Sequence, residues 1–496
     1  MDAAEHIAKL EATLAARDAR IHEQDARIRE QDAQIKQLSQ QVAALLEQVA
    51  ILTEKLGQNS SNSHRPPSSD PPGGANAGSA RTEKNRRKRS TRKRGGQRGH
   101  KGSHRSLIPE SQVDEFFDFF PPECESCWSP LPKIPDSRAS RFQVTEVPPI
   151  VPWTTEYRCH SVTCACGFKT RASSADVPAS SFGPRLTSIV GLLTGVYHVS
   201  RRKTVTLLSD LLGVRISLGA VSAIEERVST AIEPVVKEAW DSIGDANVKH
   251  TDGTSWLQAG VTMSLWTIAT TMVTVFKILK SGSKKTIEPL FGPLHGILVS
   301  DRDSSLTFWA MERRQICWAH LLRKFVSFSE RDGPAGEMGR EFLSYTALIF
   351  EYWHAKRSGE LTPKMYRAWM APVRAGFEEL LERATHAGIA RFSGACANML
   401  KHKAALWTFV DNPGVDPTNN HAERELRAFV LWRRRSFGTQ SERGNLFAER
   451  IMTIAHTARK QDRDVLTLLT DCVAAQEVGG QMPSLFDQGA IQAAAA

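Results

Sequence analysis

The sequence lacks any apolar run approaching the roughly 20 residues that a membrane-spanning helix needs. Its N-terminal stretch, MDAAEHIAKLEATLAARDAR, is charged throughout and has no apolar core of the kind found in secretory signals. These two absences predict a cytoplasmic protein. With 496 residues, the chain is long enough for several domains and at least one large core.

Outside one short segment, the chain has almost no net charge. Residues 81–105 hold twelve lysines and arginines against a single glutamate, a local charge of +11 in a chain whose total is +10. Such a concentration favours a polyanion, with nucleic acid bound through its phosphates, over the alternative of a solvated charge run. The residues expected to contact DNA in the basic segment, 81–110, are Arg86, Arg87, Lys88, Arg89, Arg92, Lys93, Arg94, Arg98 and Lys101.

An apolar residue recurs at every seventh position over residues 1–56. The positions are Ile7, Leu14, Ile21, Ile28, Ile35, Val42, Val49 and Leu56. This strict period predicts a coiled coil that makes the chain a homo-oligomer, although three polar residues (Arg17, Gln24 and Gln31) weaken the companion seam. A lone helix packed on its own protein is the alternative. The Ser-, Pro-, Gly- and Asn-rich residues 57–80 predict a linker.

Cysteine is scarce and unevenly distributed. Five of the eight cysteines lie between Cys124 and Cys166, and in a cytoplasmic chain such clustering favours metal over disulfides. The four expected ligands of a structural Zn²⁺ are Cys124, Cys127, Cys164 and Cys166. Cys159 and His160 are alternative ligands, and ordinary thiols are the other interpretation. Because RFQVTEV and TTEYRC between the pairs are strand-like, we expect a small zinc-ribbon-like domain over 111–180.

Residues 181–240 have a helical pattern. RRKTVTLLSDLLGV, a turn at Gly213 and SLGAVSAIEERV resemble a helix-turn-helix, with Ser217 as a cap of the second helix. The second helix would read DNA in this interpretation. Two packed helices joined by a glycine turn are also common in α domains without DNA contact.

Three acidic residues stand in distinct local contexts. Asp252 lies in the strand-like NVKHTDGTSWLQ, Asp301 ends the apolar GILVSD, and Glu423 begins a charged helical pattern after Pro-Thr-Asn-Asn. A hairpin and a helix (KKTIEPLFGPL) between the first two acids match the order of an RNase H-like core. Each acid alone is more often a turn former or cap. Together, two carboxylates on neighbouring strands and one on a helix can hold two Mg²⁺ ions.

The long interval between the second and third acids is helical in character. A helical insertion over 321–415 accounts for it, and a helix that starts beside the strand ends would point Glu423 at the other two acids. Glu423, Arg427 and Val430 then lie along one side of that helix.

Four motifs in one order carry a resemblance over nearly the whole chain. NSSNSHRPPSSD, RGGQRGHKG, CWAHLLRKF and PTNNHAERELR resemble the insertion-sequence-66 family of DDE transposases. The resemblance implies that Asp252, Asp301 and Glu423 are the catalytic, Mg²⁺-binding triad, in preference to the nearby Asp303 and Glu425. It also implies double-stranded DNA (element ends and target) and element-encoded accessory proteins as partners. The family's usual Asp-Glu-Thr is Asp-Gly-Thr here.

Further residues are expected around this site. Cys317-x-x-His320 follows the second acid, and since two ligands alone do not make a zinc site, we favour an active-site-shaping role over metal binding. Five arginines are expected to grip the DNA backbone beside the site, with a solvated helix face as the alternative. They are Arg424, Arg427, Arg433, Arg434 and Arg435.

The sequence therefore predicts a multidomain α+β DNA transposase that cleaves phosphodiester bonds and transfers 3′-hydroxyl ends. The alternatives are a non-catalytic DNA-binding regulator and an RNase H-like nuclease without strand transfer. Beyond the segments already bounded, the expected divisions are a first core part (241–320), the insertion, a second core part (416–460) and a C-terminal helix and tail (461–496).

Overall fold

The computed structural model describes residues 3–59, 62–63, 106–136, 138–173 and 177–486. The nine basic residues expected to contact DNA between Arg86 and Lys101 lie outside the described residues. The chain forms two compact units. The first comprises Met1–Ser79, Pro178–Thr204 and Gly219–Ala496, and the second comprises Ala80–Val177 and Val205–Leu218.

Helices account for most of the secondary structure. They are α1 (Ala3–Leu56), α2 (Pro184–Gly191), α3 (Arg201–Leu212), α4 (Leu218–Ala231), α5 (Glu233–Asp245), α6 (Lys284–Phe291), α7 (Trp318–Ser329), α8 (Gly333–Ser358), α9 (Pro363–His386), α10 (Phe392–Leu400), α11 (Thr408–Asp411), α12 (Asn420–Ser436), α13 (Glu442–Lys460) and α14 (Val465–Val478). Three helical predictions are confirmed. They concern residues 181–240, the interval between the second and third acids, and the KKTIEPLFGPL segment, which contains α6. None of the described helices is long and apolar enough to cross a membrane.

The first unit is built around one mixed sheet of five strands. The strands of the chain are β1 (Ser161–Thr163), β2 (Lys169–Arg171), β3 (Val248–Gln258), β4 (Val261–Ala269), β5 (Thr274–Leu279), β6 (Ile297–Ser300) and β7 (Arg314–Ile316). The spatial order of the five is β5-β4-β3-β6-β7. β3, β4 and β5 form an antiparallel meander, whereas β6 and β7 run parallel to β3. This topology puts β3, which contains Asp252, beside β6, which Asp301 directly follows.

A large apolar cluster packs helices against the parallel side of the sheet. Val299 of β6 and Ile316 of β7 join it from the sheet, and α7 to α11 supply most of its other members. Trp318 and Trp407 lie in contact at its centre, with ring centroids 5.2 Å apart, and both are fully buried. The helices between the second and third acids therefore share a core with the sheet.

Helix α13 covers the outer edge of β5 with a row of polar side chains. Glu449, Thr453 and Thr457 lie four residues apart and face one way. They accept hydrogen bonds from alternate backbone N–H groups of the strand, from Ile278 to Glu449 Oε1 (2.6 Å) and from Phe276 to Thr453 Oγ1 (3.2 Å). The third bond joins the N–H of Thr274 to Thr457 Oγ1 (3.2 Å). Edge donors that would otherwise face solvent are thereby satisfied.

The opposite edge, β7, is covered by backbone and side chains of the segment around α11. Gln315 is fully buried and accepts a hydrogen bond from the N–H of Phe409 to its Oε1 (2.8 Å). Its Nε2 donates to the carbonyl oxygen of Ile316 (2.7 Å), and Thr408 Oγ1 donates to the carbonyl oxygen of Arg314. Both edges of the five-stranded sheet are therefore occupied.

The heptad residues of α1 are exposed in the single chain. Ile21 and Ile28 are 53% and 54% exposed, and Leu14 is 62% exposed. The predicted helix is thus observed over nearly the predicted length. The described structure contains one chain, so pairing of the seam with a second helix stays a prediction.

The second unit contains the cysteine-rich region. Its sheet has only two strands, β1 and β2, joined by a tight turn in which the N–H of Gly167 donates to the carbonyl of Cys164 (2.8 Å). The expected strands at RFQVTEV and TTEYRC are wrong, because residues 141–147 and 154–159 are neither helix nor strand. β-branched and aromatic residues favour strands only where a partner strand and an apolar surface are supplied, and nearly every side chain in these stretches is exposed.

Candidate active site

Asp252 and Asp301 are brought together by the register of two parallel strands. Val248 of β3 pairs with Ile297 of β6, and His250 pairs with Val299. The same offset, continued by two residues, sets Asp252 across from Asp301, which directly follows β6. Neighbouring strands lie about 4.8 Å apart, and residues two apart share a face. The two carboxylates therefore belong to one face of the sheet on adjacent strands, with Asp252 inside β3 and Asp301 directly after β6.

Glu423 reaches the same face because the start of α12 is bonded to β3 and to the residue before α7. The side chain of Asn419, which precedes α12 and is fully buried, donates from Nδ2 to the carbonyl of Thr251 (2.7 Å). Its backbone N–H donates to Cys317 Sγ (3.1 Å). Glu423 lies one helical turn further on, and its N–H donates to the carbonyl of Asn419 (3.2 Å). The stacking of His250 on His421, with centroids 5.0 Å apart, brings the same face of β3 against α12.

The three carboxylates perturb one another. Burial, followed by the charges of Asp301 and Glu423, raises the pKa of Asp252 to about 8. Burial is also the main cause of the raised pKa values of Asp301 and Glu423. The carboxylate oxygens of the three acids do not all lie within 4.8 Å of one another. In the described part of the chain, the group of His, Cys, Asp or Glu side chains that meets this limit is a different one, which contains Glu423 but neither aspartate.

Arg323 is a cation that faces Glu423 and Asp252. Its Nη2 lies 3.8 Å from Glu423 Oε2, and the two side chains are 23% and 30% exposed. Its charge opposes the raised pKa of both Glu423 and Asp252. The other carboxylate oxygen, Glu423 Oε1, is buried and receives no hydrogen bond from the described residues. An unfilled buried acceptor of this kind is suited to a cation.

The acids that compete with Asp301 and Glu423 have other contacts. Asp303 caps a short 3₁₀ turn, and its Oδ1 accepts the N–H of Ser305 (2.7 Å). Glu425 lies on another side of α12, where it pairs with His456 and with Lys460 (Nζ to Oε1, 3.3 Å). Hydrogen bonding to His456 and the Lys460 charge overcome burial and lower the pKa of Glu425 to about 2. Both acids are therefore engaged in local structure.

Gly253 replaces an acidic residue expected next to Asp252, and the facing strand explains why. Gly253 pairs directly with Trp266 of β4. A Cβ atom at this position would lie 3.0 Å from the indole ring of Trp266, whose Nε1 donates to Ser264 Oγ (2.8 Å). The Trp266 ring thus fills the space that a longer side chain would need.

Cys317 and His320 lie beside Glu423. Cys317 directly follows β7, caps the N-terminus of α7 and is fully buried, and burial raises the pKa of its thiol to about 11. His320 Nδ1 lies 3.6 Å from Glu423 Oε1. Ligand atoms of Cys317, His320 and Glu423 all lie within 4.8 Å of one another. The Cys-x-x-His pair therefore gains a third ligand from α12, which its sequence spacing does not reveal.

With this geometry described, comparison with known proteins identifies the family. A family model described as the Transposase IS66 family matches residues 179–446, more than half of the 496 residues. The chain belongs to the IS66 transposase family. The matched region contains all three carboxylates. Membership implies a transposase that acts on DNA and uses divalent metal.

The N-terminal part of this IS66 transposase matches a different model. A family of unknown function matches residues 18–106, which include most of α1 and the basic segment. No curated protein matches the chain.

The arginines of α12 in the IS66 transposase divide into two groups. Arg433 is partly buried and donates from Nη1 to Ser255 Oγ (2.6 Å), so it joins α12 to β3. The other four are exposed. They are Arg424, Arg427, Arg434 and Arg435. Arg433 therefore serves the fold, whereas the other four present their side chains at the protein surface.

The four cysteines expected to bind zinc lie in two turns of the second unit. Cys124 and Cys127 share one turn, in which hydrogen bonding to Ser129 lowers the pKa of the Cys127 thiol. Cys164 and Cys166 share the β1–β2 turn, where the Cys166 backbone lowers the pKa of Cys164. No three of the four cysteines have ligand atoms within 4.8 Å of one another in the described structure. The structure thus brings together each pair, but not the two pairs.

Three residues of the site are absent from the sequence predictions. Asn419 anchors α12, Arg323 faces the acids, and Arg314 holds the end of β6 by donating from Nη2 to Ser300 Oγ (3.0 Å) and to the carbonyl of Asp301 (3.1 Å). Arg323 stands one helical turn after His320, and that spacing was the available signal. The role of Arg314 depends on pairing of β7 with β6, which has no local signal.

Proposed function

We propose that this chain is a DNA transposase in which Asp252, Asp301 and Glu423 form a two-metal DDE site. The observation that carries the proposal is the ladder register that sets Asp252 across from Asp301, with Asn419 fastening the helix that bears Glu423 to the same strand. Its activity would be hydrolysis of phosphodiester bonds at the element ends, followed by transfer of the 3′-hydroxyl ends into target DNA.

The sheet supports an RNase H-like catalytic core. A three-stranded antiparallel meander continued by two parallel strands, with an acid on the first strand and another after the fourth, agrees with the order expected from sequence. The helices between Asp301 and Glu423 then form an insertion within that core.

The donor set fits hard divalent cations. Carboxylate oxygens are the ligands that Mg²⁺ prefers, and Glu423 Oε1 is a buried acceptor without a donor among the described residues. Asp252, Asp301 and Glu423 would hold the ions, and cation binding would offset the burial and the repulsion that raise the pKa of Asp252. Bound Mg²⁺ would activate the attacking hydroxyl and stabilise the leaving oxygen.

The remaining residues position this chemistry and the DNA. Asn419 holds the start of α12 against β3. When cations bind Glu423, the guanidinium of Arg323 would be free to pair with a substrate phosphate. The exposed α12 arginines and the basic segment 81–110 would bind the DNA backbone. Zn²⁺ bound by Cys124, Cys127, Cys164 and Cys166 would stabilise the second unit by joining the two turns that carry these cysteines.

Pairing of two DNA ends needs at least two subunits. The exposed heptad seam of α1 supports assembly through a coiled coil. Element-encoded accessory proteins and double-stranded DNA are the other partners of the proposed function, in a cytoplasmic, nucleoid-associated setting.

Strand transfer tests the triad. A labelled duplex that carries an end of the element encoding this chain is incubated with supercoiled plasmid, Mg²⁺ and wild type, Asp252→Asn, Asp301→Asn or Glu423→Gln. We expect each variant to bind the duplex normally and to lose at least about 1,000-fold in strand transfer, about 4 kcal/mol of transition-state stabilisation. Asp303→Asn is the matched control. Asp303 is a neighbouring acid that caps a turn, and because asparagine can serve as the same cap, this variant should stay active.

Three results would contradict the proposal. Full activity of Asp252→Asn would refute the triad. DNA binding with no Mg²⁺-dependent cleavage by wild type would favour a regulator, and cleavage without joined products would favour a nuclease.

A further inference from the structure

The strongest unassigned cluster is the trio of Cys317, His320 and Glu423. The thiol belongs to Cys317, which directly precedes α7, and the imidazole belongs to His320 in α7. The carboxylate of Glu423 comes from α12. Mg²⁺ prefers oxygen ligands, so Cys317 and His320 have no place in its coordination. Sulfur and nitrogen donors beside one carboxylate are instead the ligands of Zn²⁺ and similar transition metals.

The distances suit a tetrahedral ion. Zn²⁺ binds nitrogen and oxygen at about 2.1 Å and sulfur at about 2.3 Å, so its ligands lie roughly 3.4–3.7 Å from one another. His320 Nδ1 and Glu423 Oε1 are 3.6 Å apart. Every pair of ligand atoms in the trio is within 4.8 Å. Shifts of about 1 Å or less would complete three of the four positions and leave one open.

The surroundings of the trio favour a bound cation. Cys317 Sγ accepts the backbone N–H of Asn419 (3.1 Å) at the N-terminus of α7, and such donors stabilise a metal-bound thiolate. Asn419 is held in turn by its bond to Thr251. Glu423 Oε2 faces Arg323, while Oε1, which points toward His320, is buried without a donor among the described residues. The open acceptor therefore faces the other two ligands.

We propose that Cys317, His320 and Glu423 form a zinc site that competes with the Mg²⁺ pair for Glu423. On binding, the Cys317 thiol releases its proton to solvent, and sulfur, imidazole nitrogen and one carboxylate oxygen coordinate the ion. An ion in this place withdraws Glu423 from Asp252 and Asp301. Zn²⁺ would then inhibit the transposase at concentrations far below those of Mg²⁺. The binding site itself is independent of the proposed function, whereas the inhibition depends on it.

Metal stoichiometry tests the site in the full chain. Co²⁺ serves as a spectroscopic probe for wild type, Cys317→Ser and His320→Gln, with circular dichroism and thermal melts in EDTA to establish folding. Cys472→Ser removes a buried thiol of α14 and is the matched control. We expect wild type and Cys472→Ser to bind one equivalent more than Cys317→Ser and to show additional thiolate-to-cobalt charge-transfer absorption. His320→Gln should bind this equivalent at least tenfold more weakly.

The outcomes separate the two proposals. Equal metal content and identical Co²⁺ spectra in folded wild type, Cys317→Ser and His320→Gln would overturn the zinc site, whatever the strand-transfer result. A fully active Asp252→Asn would overturn the proposed function while leaving zinc binding intact. Inhibition of wild-type strand transfer by micromolar Zn²⁺ in millimolar Mg²⁺, reduced at least tenfold in Cys317→Ser relative to Cys472→Ser, would support the competition for Glu423. Equal sensitivity of Cys317→Ser and Cys472→Ser would overturn that competition.

Discussion

Replacement of Asp252 by asparagine should stabilise the metal-free protein while it abolishes activity. The pKa of Asp252 is raised from 3.8 to about 8 by burial and by Asp301 and Glu423. Because the folded state binds this proton more tightly than the unfolded state, its stabilising contribution is present below about pH 4 and is lost as pH rises toward about 8. One pH unit corresponds to about 1.4 kcal/mol. At pH 7 the folded state still holds this proton and the unfolded chain has released it, so about 4 kcal/mol of stability is lost relative to low pH.

Asparagine keeps the shape and removes this cost. Since neighbouring acids share protons and solvent screens part of the repulsion, we expect Asp252→Asn to gain about 2–4 kcal/mol at pH 7 in EDTA. The assay is urea unfolding followed by tryptophan fluorescence between pH 5 and pH 9. Wild type should lose stability across this range, and Mg²⁺ should restore it more in wild type than in the variant.

A matched acid and a clear contrary result complete the test. Asp303→Asn replaces an acid that caps a turn, so its stability should change by less than about 1 kcal/mol. If Asp252→Asn is no more stable than wild type at pH 8 in EDTA, and wild-type stability is flat with pH, the carboxylates do not repel one another and the reasoning is refuted.

Three further changes probe the frame of the site. Asn419→Ala removes the donor to a β3 carbonyl and should cost about 1–3 kcal/mol in urea unfolding, whereas exposed Asn420→Ala should stay within about 0.5 kcal/mol; equal effects would deny Asn419 its anchoring role. Gly253→Glu forces Trp266 aside and should lower stability by about 1–3 kcal/mol in the same assay; an unchanged unfolding midpoint would contradict this packing. Ile28→Asp places a charge on the heptad seam and should yield monomers in sedimentation velocity; unchanged oligomers would exclude this seam as the interface.

Local patterns in the sequence were sufficient to predict the strands and the helix around the three acids. The apolar run before Asp301 predicts β6, and the β-branched stretch after Asp252 predicts the β4–β5 hairpin, both of which are observed. Strand alternation and apolar runs are set by neighbours in sequence. The helix beginning at Asn420 could be predicted for the same reason, because a turn precedes its charged, periodic pattern.

Long-range pairing was not accessible in this way. Spacing alone does not distinguish Glu423 from Glu425, since the difference lies in which side of α12 meets β3 and which meets His456 and Lys460. The anchoring of α12 by Asn419 depends likewise on a β3 carbonyl 168 positions away. The strands predicted before Cys164 are not observed, because a local preference for extended backbone does not supply the partner strand that a sheet requires.

The two covered edges of the five-stranded sheet limit how copies of this protein can meet. Glu449, Thr453 and Thr457 occupy the donors of β5, and the side chains of Gln315 and Thr408 bond the carbonyl oxygens of β7. Neither edge offers a free ladder that a second copy could extend into a continuous intermolecular sheet. Two copies of the protein bound close together on DNA would therefore not join their sheets by pairing of edge β-strands. Contacts between subunits are left to side chains, to helices and to the DNA itself, which can be made and released as a reaction proceeds.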